Sequence, residues 1–289
     1  MLREPLAELV TKREGFLESG RSFSEAQTVL IGAPMDYTVS FRAGSRMAPM
    51  AIRQVSEALE EYSLRACKDL RDIEYIDAGD VVLPFGNVEN SLALIEKAVA
   101  IIHEQGKTPF LLGGDHLVSF PAVKAAKAFY DDLILLHFDA HADLRPHYME
   151  EPLSHASVIY RIIEEVGVKE VYQFGIRSGT KEEMELASQK TNLFQDEVEK
   201  PLAEVLPNIK GKPLYITVDI DVVDPAYAPG TGTPEPGGIT SREFLRIPQL
   251  LSSCRVVGMD LVEVSPPYDT AEITALLAAK FIREALLYF

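Results

Sequence analysis

The sequence predicts an α/β fold: a three-layer α/β/α sandwich built on a mainly parallel sheet of about eight strands. Three observations carry this expectation. Short β-rich apolar runs alternate with segments whose apolar residues recur at helical spacing. The runs are continuously apolar, as in strands covered on both faces. Acidic residues and histidines gather where those runs end, the edge at which open parallel sheets bind ligands.

In chain order, strands are expected near 28–34 (TVLIGAP), 73–77 (IEYID), 109–114 (PFLLGG) and 133–139 (LILLHFD). Four more follow near 171–176 (VYQFGI), 192–194 (NLF), 214–221 (LYITVDID) and 256–264 (VVGMDLVEV). Between them lie amphipathic segments such as ENSLALIEKAVAIIHEQGK (89–107), which closes on a glycine stop. The loop DPAYAPGTGTPEPGG (224–238) is rich in proline and glycine but too short to divide domains. There is no internal repeat, and residues 1–289 read as a single domain.

Composition narrows the function classes. With 47% apolar residues the chain can bury a sizeable core, and a net charge of −16 argues against nucleic acid and anionic membranes. That charge is compatible with a small cationic substrate. Cys67 and Cys254 lie far apart without a CxxC spacing, so neither a disulfide framework nor a thiolate metal site is expected. The start, MLREPLAELVTKREGF, mixes charges with apolar residues and does not read as a signal peptide. No uncharged apolar run is long enough to span a bilayer, so the expected location is cytoplasmic.

The chemistry concentrates in LILLHFDAHADL (133–144), where Asp139, His141 and Asp143 alternate and so project from one face of an extended chain. Gly113-Gly114-Asp115-His116, Asp219-x-Asp221 and Glu263 close three other strands. Singly, several of these residues have ordinary readings. Asp115 and Asp224 suit turn formers or helix caps. His103, His137 and His147 read as solvated or hydrogen-bonded side chains, with His137 expected to face away from Asp139 and pack within the sheet. Together, His116, Asp139, His141, Asp143, Asp219 and Asp221 would bring four carboxylates and two imidazoles to one edge. Such a cluster is strongly destabilised without cations. Oxygen-rich ligation with one histidine per ion suits Mn²⁺ better than Zn²⁺. Six donors are too many for one such ion with room for substrate, whereas two ions roughly 3.5–4 Å apart fit the count.

These motifs resemble a family. GGDH (113–116), DAHAD (139–143) and DIDVVDP (219–225), with Ser154-His155 and DLVEVSP (260–266), are similar to the ureohydrolases: arginases, agmatinases and relatives. The resemblance runs from GAPMDYTVSFRAGSRMAPMAIR (32–53) to the C-terminal helix and implies an arginase-like fold. FGIRSG, PGTGTPEPGGIT and DLVEVSPPYD look most like bacterial agmatinases. The resemblance assigns His116, Asp139, Asp143 and Asp219 to one manganese ion. It assigns Asp139, His141, Asp219 and Asp221 to the other, with Asp139 and Asp219 bridging. Asp115 matches the motif but is not a family ligand.

The reaction implied is hydrolysis of a guanidinium group to urea and an amine, by hydroxide generated near neutral pH. Glu263 resembles the residue that holds guanidinium nitrogens, a task suited to a carboxylate; a strand-end salt bridge is its alternative. Asp143 is expected to orient the nucleophile and pass a proton to the leaving amine. His155 matches a family histidine assigned to proton transfer, which suits a group titrating near neutrality. A helix-start histidine is its alternative reading.

For the substrate tail, the loop LRPHYMEEPLSH (144–155) lacks the Asn- and Ser-rich residues by which arginases grip an amino acid, and Ser178 replaces their acidic residue after Arg177. Agmatine, cleaved to putrescine and urea in polyamine biosynthesis, is the expected substrate, with Glu150 and Glu151 facing its distal ammonium. Arg145 and His147 leave guanidinobutyrate open, and formiminoglutamate uses the same metal core. A non-hydrolytic relative would have lost ligands or the proton-transfer histidine, and all are present here. Relatives commonly form trimers or hexamers, so a homo-oligomer is expected.

Overall fold

The computed structural model describes residues 4–19 and 21–289. Eleven strands lie among them: β1 (Val10–Thr11), β2 (Thr28–Ala33), β3 (Tyr62–Ser63), β4 (Lys68–Asp69), β5 (Tyr75–Val81), β6 (Thr108–Gly113), β7 (Ile134–Phe138), β8 (Glu170–Ile176), β9 (Asn192–Gln195), β10 (Pro213–Asp219) and β11 (Arg255–Val262). Nine form one sheet in the order β1-β5-β2-β6-β11-β10-β7-β8-β9, and β3 pairs with β4 apart from it. All eight expected strands are present and pair in parallel. The ninth, β1, runs antiparallel along β5 with Val10 opposite Val81. Two residues are too few to show a periodic pattern, which is why the sequence did not announce it.

Strand β5 begins two residues after the expected start and continues to Val81, through Asp77 and Asp80. Arg53 makes this possible. Its Nε donates to Asp77 Oδ2 at 2.7 Å and its Nη1 to Asp80 Oδ1 at 2.6 Å, with all three side chains buried. Without the arginine, Asp77 would keep only the N–H groups of Phe16 and Gly79, and Asp80 only the half-exposed Arg13.

Both faces of the sheet are covered, as the continuous apolar strands require. In β2, Leu30 joins one core while Val29 and Ile31 join the other; in β7, Leu136 and Phe138 divide likewise from Leu135. The helices Ala48–Ser56, Glu199–Ile209 and Ile273–Tyr288 cover the first face, and Val88–Glu104 and Ser119–Lys127 the second. Helix Val88–Glu104 shows why such segments fold. Asn87 Oδ1 caps it by accepting the Asn90 N–H, and Gly106 at φ 68° follows its end. Leu92, Ile95, Val99 and Ile102 form its buried stripe, each contributing roughly 1.5–3 kcal/mol.

The order of the strands assembles the site. After β6 the chain crosses to β7 and continues outward to β8 and β9, and β10 and β11 then return to fill the gap. Strands β6, β11, β10 and β7 thus end side by side, with Leu112 opposite Leu261, Asp219 opposite Val262 and Val218 opposite Phe138. Segments more than a hundred residues apart are thereby neighbours at one edge. No helix among the described residues is long and apolar enough to cross a membrane.

Candidate metal centre

Each strand end uses its own polar groups to hold its shape. Beyond β6, Gly114 passes against Met35; a Cβ there would lie 1.8 Å from the Met35 carbonyl oxygen, so only glycine fits. Asp115 then caps the turn His116–Val118 and also accepts the Thr38 N–H at 3.1 Å. This seats His116, 1% exposed, at the centre of the edge.

Beyond β7, Asp139 Oδ1 accepts the N–H of His141, a turn closed by its own first residue. Asp143 follows at φ 53°, a left-handed conformation that aspartate tolerates better than most residues. Beyond β10, Asp219 Oδ1 accepts the Asp221 N–H at 2.8 Å, while Asp221 Oδ1 accepts the Ala140 N–H at 3.0 Å. In Asp139, Asp219 and Asp221, Oδ1 accepts a backbone N–H and Oδ2 faces the site.

Those remaining oxygens converge. His116 Nδ1 lies 3.0 Å from Asp139 Oδ2, 3.3 Å from Asp143 Oδ2 and 3.4 Å from Asp219 Oδ2. On the other side, His141 Nδ1 lies 2.9 Å from Asp221 Oδ2 and 3.5 Å from Asp139 Oδ1. The two oxygens of Asp139 therefore face two different imidazoles. The structure brings together all six residues expected as ligands. Asp139, Asp143, Asp219 and Asp221 are all buried, and among the described residues no lysine or arginine pairs with their carboxylate groups.

The electrostatics register this shortage of positive charge. Burial, with Asp221 and Asp139 nearby, raises the Asp219 carboxyl well above its usual range, and burial with Asp139 raises Asp221. Burial opposes protonation of His141, but Asp221 and Asp139 outweigh it and push its pKa up to about 12. The donor set fits a divalent metal, as one atom shows directly. His116 Nδ1 is buried and has no hydrogen-bond partner although three carboxylate oxygens surround it. Converging lone pairs of this kind are ligand geometry, and metal ions compete with protons for them.

Glu263, 1% exposed, holds φ 62°, a strained conformation for glutamate, fixed by its N–H to Gly114 at 2.9 Å. Its Oε1 accepts the His116 N–H at 2.8 Å and stands 3.6 Å from His155 Nδ1. His155 begins a short turn capped by Ser154, so its helix-start reading is correct in geometry while its ring still faces the site. Thr38 and Ser40, from the loop after β2, hold the His155 N–H and Nε2, each at 3.0 Å. Neither residue is marked by any motif in the sequence. A cleft of about 180 Å³ opens above, lined among others by His141, Asp143, Tyr148, His155, Ser178 and Asp219.

Other expectations meet a different geometry. Glu150 and Glu151 are exposed at a tight turn closed by paired hydrogen bonds between Tyr148 and Glu151, and neither lines the cleft. Met149 and Glu150 both adopt positive φ there, which turns their side chains away; the cleft receives Tyr148 instead. His137 does not face away from Asp139. Residues two apart share a side, and His137 Nε2 lies 2.8 Å from Asp139 Oδ2. His103 is neither solvated nor hydrogen-bonded; it is buried beside Phe129 and Tyr130 with both ring nitrogens unpartnered. His147 is exposed, and Asp224 caps its own loop by accepting from Ala226, Gly237 and Gly238.

Comparison with known proteins follows the same lines. The family model for the Arginase family matches residues 26–288. Agmatinase of Bacillus subtilis is 52% identical over 277 residues, covering 95% of this chain and 96% of its own. Guanidinobutyrase of Pseudomonas aeruginosa is 33% identical, covering 93% of this chain and 88% of its own. The crystal structure of agmatine ureohydrolase of Thermoplasma volcanium is 33% identical and superposes with a TM-score of 0.86, covering 96% of this chain and 94% of that one.

Proposed function

The chain belongs to the arginase family, and from that premise we propose that its cleft hydrolyses agmatine to putrescine and urea on two manganese ions. The observation that carries the proposal is the division of Asp139, whose two oxygens face His116 and His141 separately. His116, Asp139, Asp143 and Asp219 would hold one ion, and Asp139, His141, Asp219 and Asp221 the other. When bound, such ions acidify water enough to supply hydroxide near neutral pH.

The chain's own residues do the rest. Glu263 accepts guanidinium N–H groups and fixes the planar cation at the metal edge. Asp143 orients the nucleophile and passes its proton to the leaving amine. As the guanidinium carbon gains oxygen and its bond to the alkyl nitrogen breaks, His155 supplies a second proton, so that the amine departs as an alkylammonium and urea remains.

A guanidinobutyrate reading requires a free cation for the substrate carboxylate, and Arg145 is the candidate in the loop. Arg145 is already engaged: its Nε lies 3.2 Å from Glu183 Oε2 and its guanidinium 5.0 Å over the Tyr148 ring. This favours agmatine. Glu150 and Glu151 then contribute only long-range attraction for a dication. The proposal extends to a cytoplasmic homo-oligomer, trimeric or hexameric, serving polyamine biosynthesis, on the strength of the family resemblance.

The test is product release from agmatine, arginine, guanidinobutyrate and formiminoglutamate after manganese loading, with metal analysis of the same sample. Urea from agmatine with two manganese ions per chain is expected. Preference for another substrate would overturn the substrate, and a single bound ion would overturn the count.

A further inference from the structure

We infer that His137 is a positioning residue for Asp139 and not a metal ligand, because Gln173 fixes the tautomer in which His137 presents an N–H to the site. The inference rests on the divalent-metal reading above. Proximity alone does not separate the two imidazoles: His116 and His137 lie ring to ring at 5.2 Å, and both belong with Asp139 and Asp143 to one group of possible ligands.

Hydrogen-bond accounting separates them. Thr217 has one hydroxyl proton, and it goes to Asp260 Oδ1 at 2.6 Å. Thr217 Oγ1 therefore accepts from His116 Nε2 at 2.9 Å, which leaves His116 Nδ1 as the bare lone pair facing the carboxylates. His116 is built to ligate.

His137 is built the other way. The end of the Gln173 amide beside the Ala142 carbonyl, which can only accept, is its NH₂, and the Thr191 hydroxyl lies 2.9 Å from the other end, Oε1. One of its protons goes to the Ala142 carbonyl at 2.9 Å, and the other points at His137 Nδ1 at 3.0 Å. A nitrogen that accepts carries no proton, so the neutral ring is protonated on Nε2. That N–H meets Asp139 Oδ2 at 2.8 Å, the same oxygen that faces His116. The bond fixes the rotation of the carboxylate and so keeps Oδ1 toward His141. His137, Gln173 and Asp139 are all 0% exposed, so water does not compete for these bonds.

The experiment compares wild type with His137→Phe, which keeps an aromatic ring and removes the donor. Divalent-metal affinity is measured by chelator competition, and the number of ions at saturation by metal analysis. His137→Phe should bind about 10- to 100-fold more weakly, the range for an outer partner of a ligand, with the same number of ions. ¹⁵N-histidine spectra of the wild type, metal-free and loaded with diamagnetic zinc, should show His137 protonated on Nε2 in both. Loss of that proton on loading, or loss of an ion in the variant, would make His137 a ligand and overturn the inference. Unchanged affinity would also overturn it. Failure of wild type to bind any divalent ion would sink the metal reading instead, and the metal-free spectrum would still decide the tautomer. The spectra also decide it should His137→Phe fail to fold.

Discussion

Glu263 Oε1 accepts the His116 backbone N–H at 2.8 Å and stands 3.6 Å from His155 Nδ1. One carboxylate thus joins the metal edge to the proposed proton carrier, and β6, β11 and the 144–155 loop are locked together at that point. Such a junction separates two kinds of defect: loss of metal and loss of proton transfer.

Replacing His155 tests the second. Burial opposes its charge, but Glu263 outweighs burial and raises its pKa above the ordinary histidine range. His155→Ala should keep its metal and lose turnover by about 10²-fold or more. The deficit should be largest below that raised pKa, where the wild-type imidazole carries the proton it donates. An unchanged pH–rate profile would assign proton transfer elsewhere.

Asp139→Asn and Asp219→Asn test the first. Each removes a carboxylate that the proposed pair of ions would share, so metal content and activity should fall together. Asp115→Asn is the control: Asp115 accepts from Thr38 and Leu117 and approaches no site imidazole in the way Asp139 does. It should keep its metal. Metal analysis showing full occupancy in Asp139→Asn would remove that residue from the ligand set.

Much of this site was legible in the sequence because it is written in alternation and strand ends. Asp139, His141 and Asp143 share parity, and a parallel sheet delivers its strand ends to one edge. His137 shares that parity too, so the expectation that it faces away from Asp139 runs against the strand's own alternation. What the sequence hides is turn chemistry. Positive φ at Met149 and Glu150 is signalled by neither residue type, so nothing in MEE told that the acids face solvent and Tyr148 the cleft. Thr38 and Ser40 reach His155 only through the close passage of the chain at Gly114, a relationship between segments that no local pattern contains.

His103 gives a prediction for stability. Burial alone lowers its pKa from 6.5 to about 4, with no hydrogen bond to compensate. Its folded pKa lies below the unfolded one, so between them the unfolded chain binds more protons and stability rises with pH. The stabilisation is complete above about pH 6.5 and is lost as pH falls toward 4, by up to about 3 kcal/mol. His103→Leu should remove this contribution. Urea unfolding at pH 7 and pH 4.5 would show it as a smaller pH loss in the variant; equal losses would mean the ring finds a partner when charged.

Substrate choice is the most demanding test. Among the described residues that line the cleft, Arg145 is the one arginine or lysine, and it is held by Glu183 and the Tyr148 ring; nearby Arg177 donates to the carbonyls of Asp221, Val222 and Glu235. Burying a carboxylate without a partner costs several kcal/mol, on the order of 2–7 for polar groups. With tenfold for about each 1.4 kcal/mol, agmatine should exceed arginine by roughly a hundredfold or more in kcat/KM. Because Glu150 and Glu151 face solvent, Glu150→Gln and Glu151→Gln should change KM for agmatine less than about threefold, the scale of exposed pairs. A large KM rise in either would show the 144–155 loop closing over the substrate tail. Equal kcat/KM for arginine and agmatine would refute the choice of substrate.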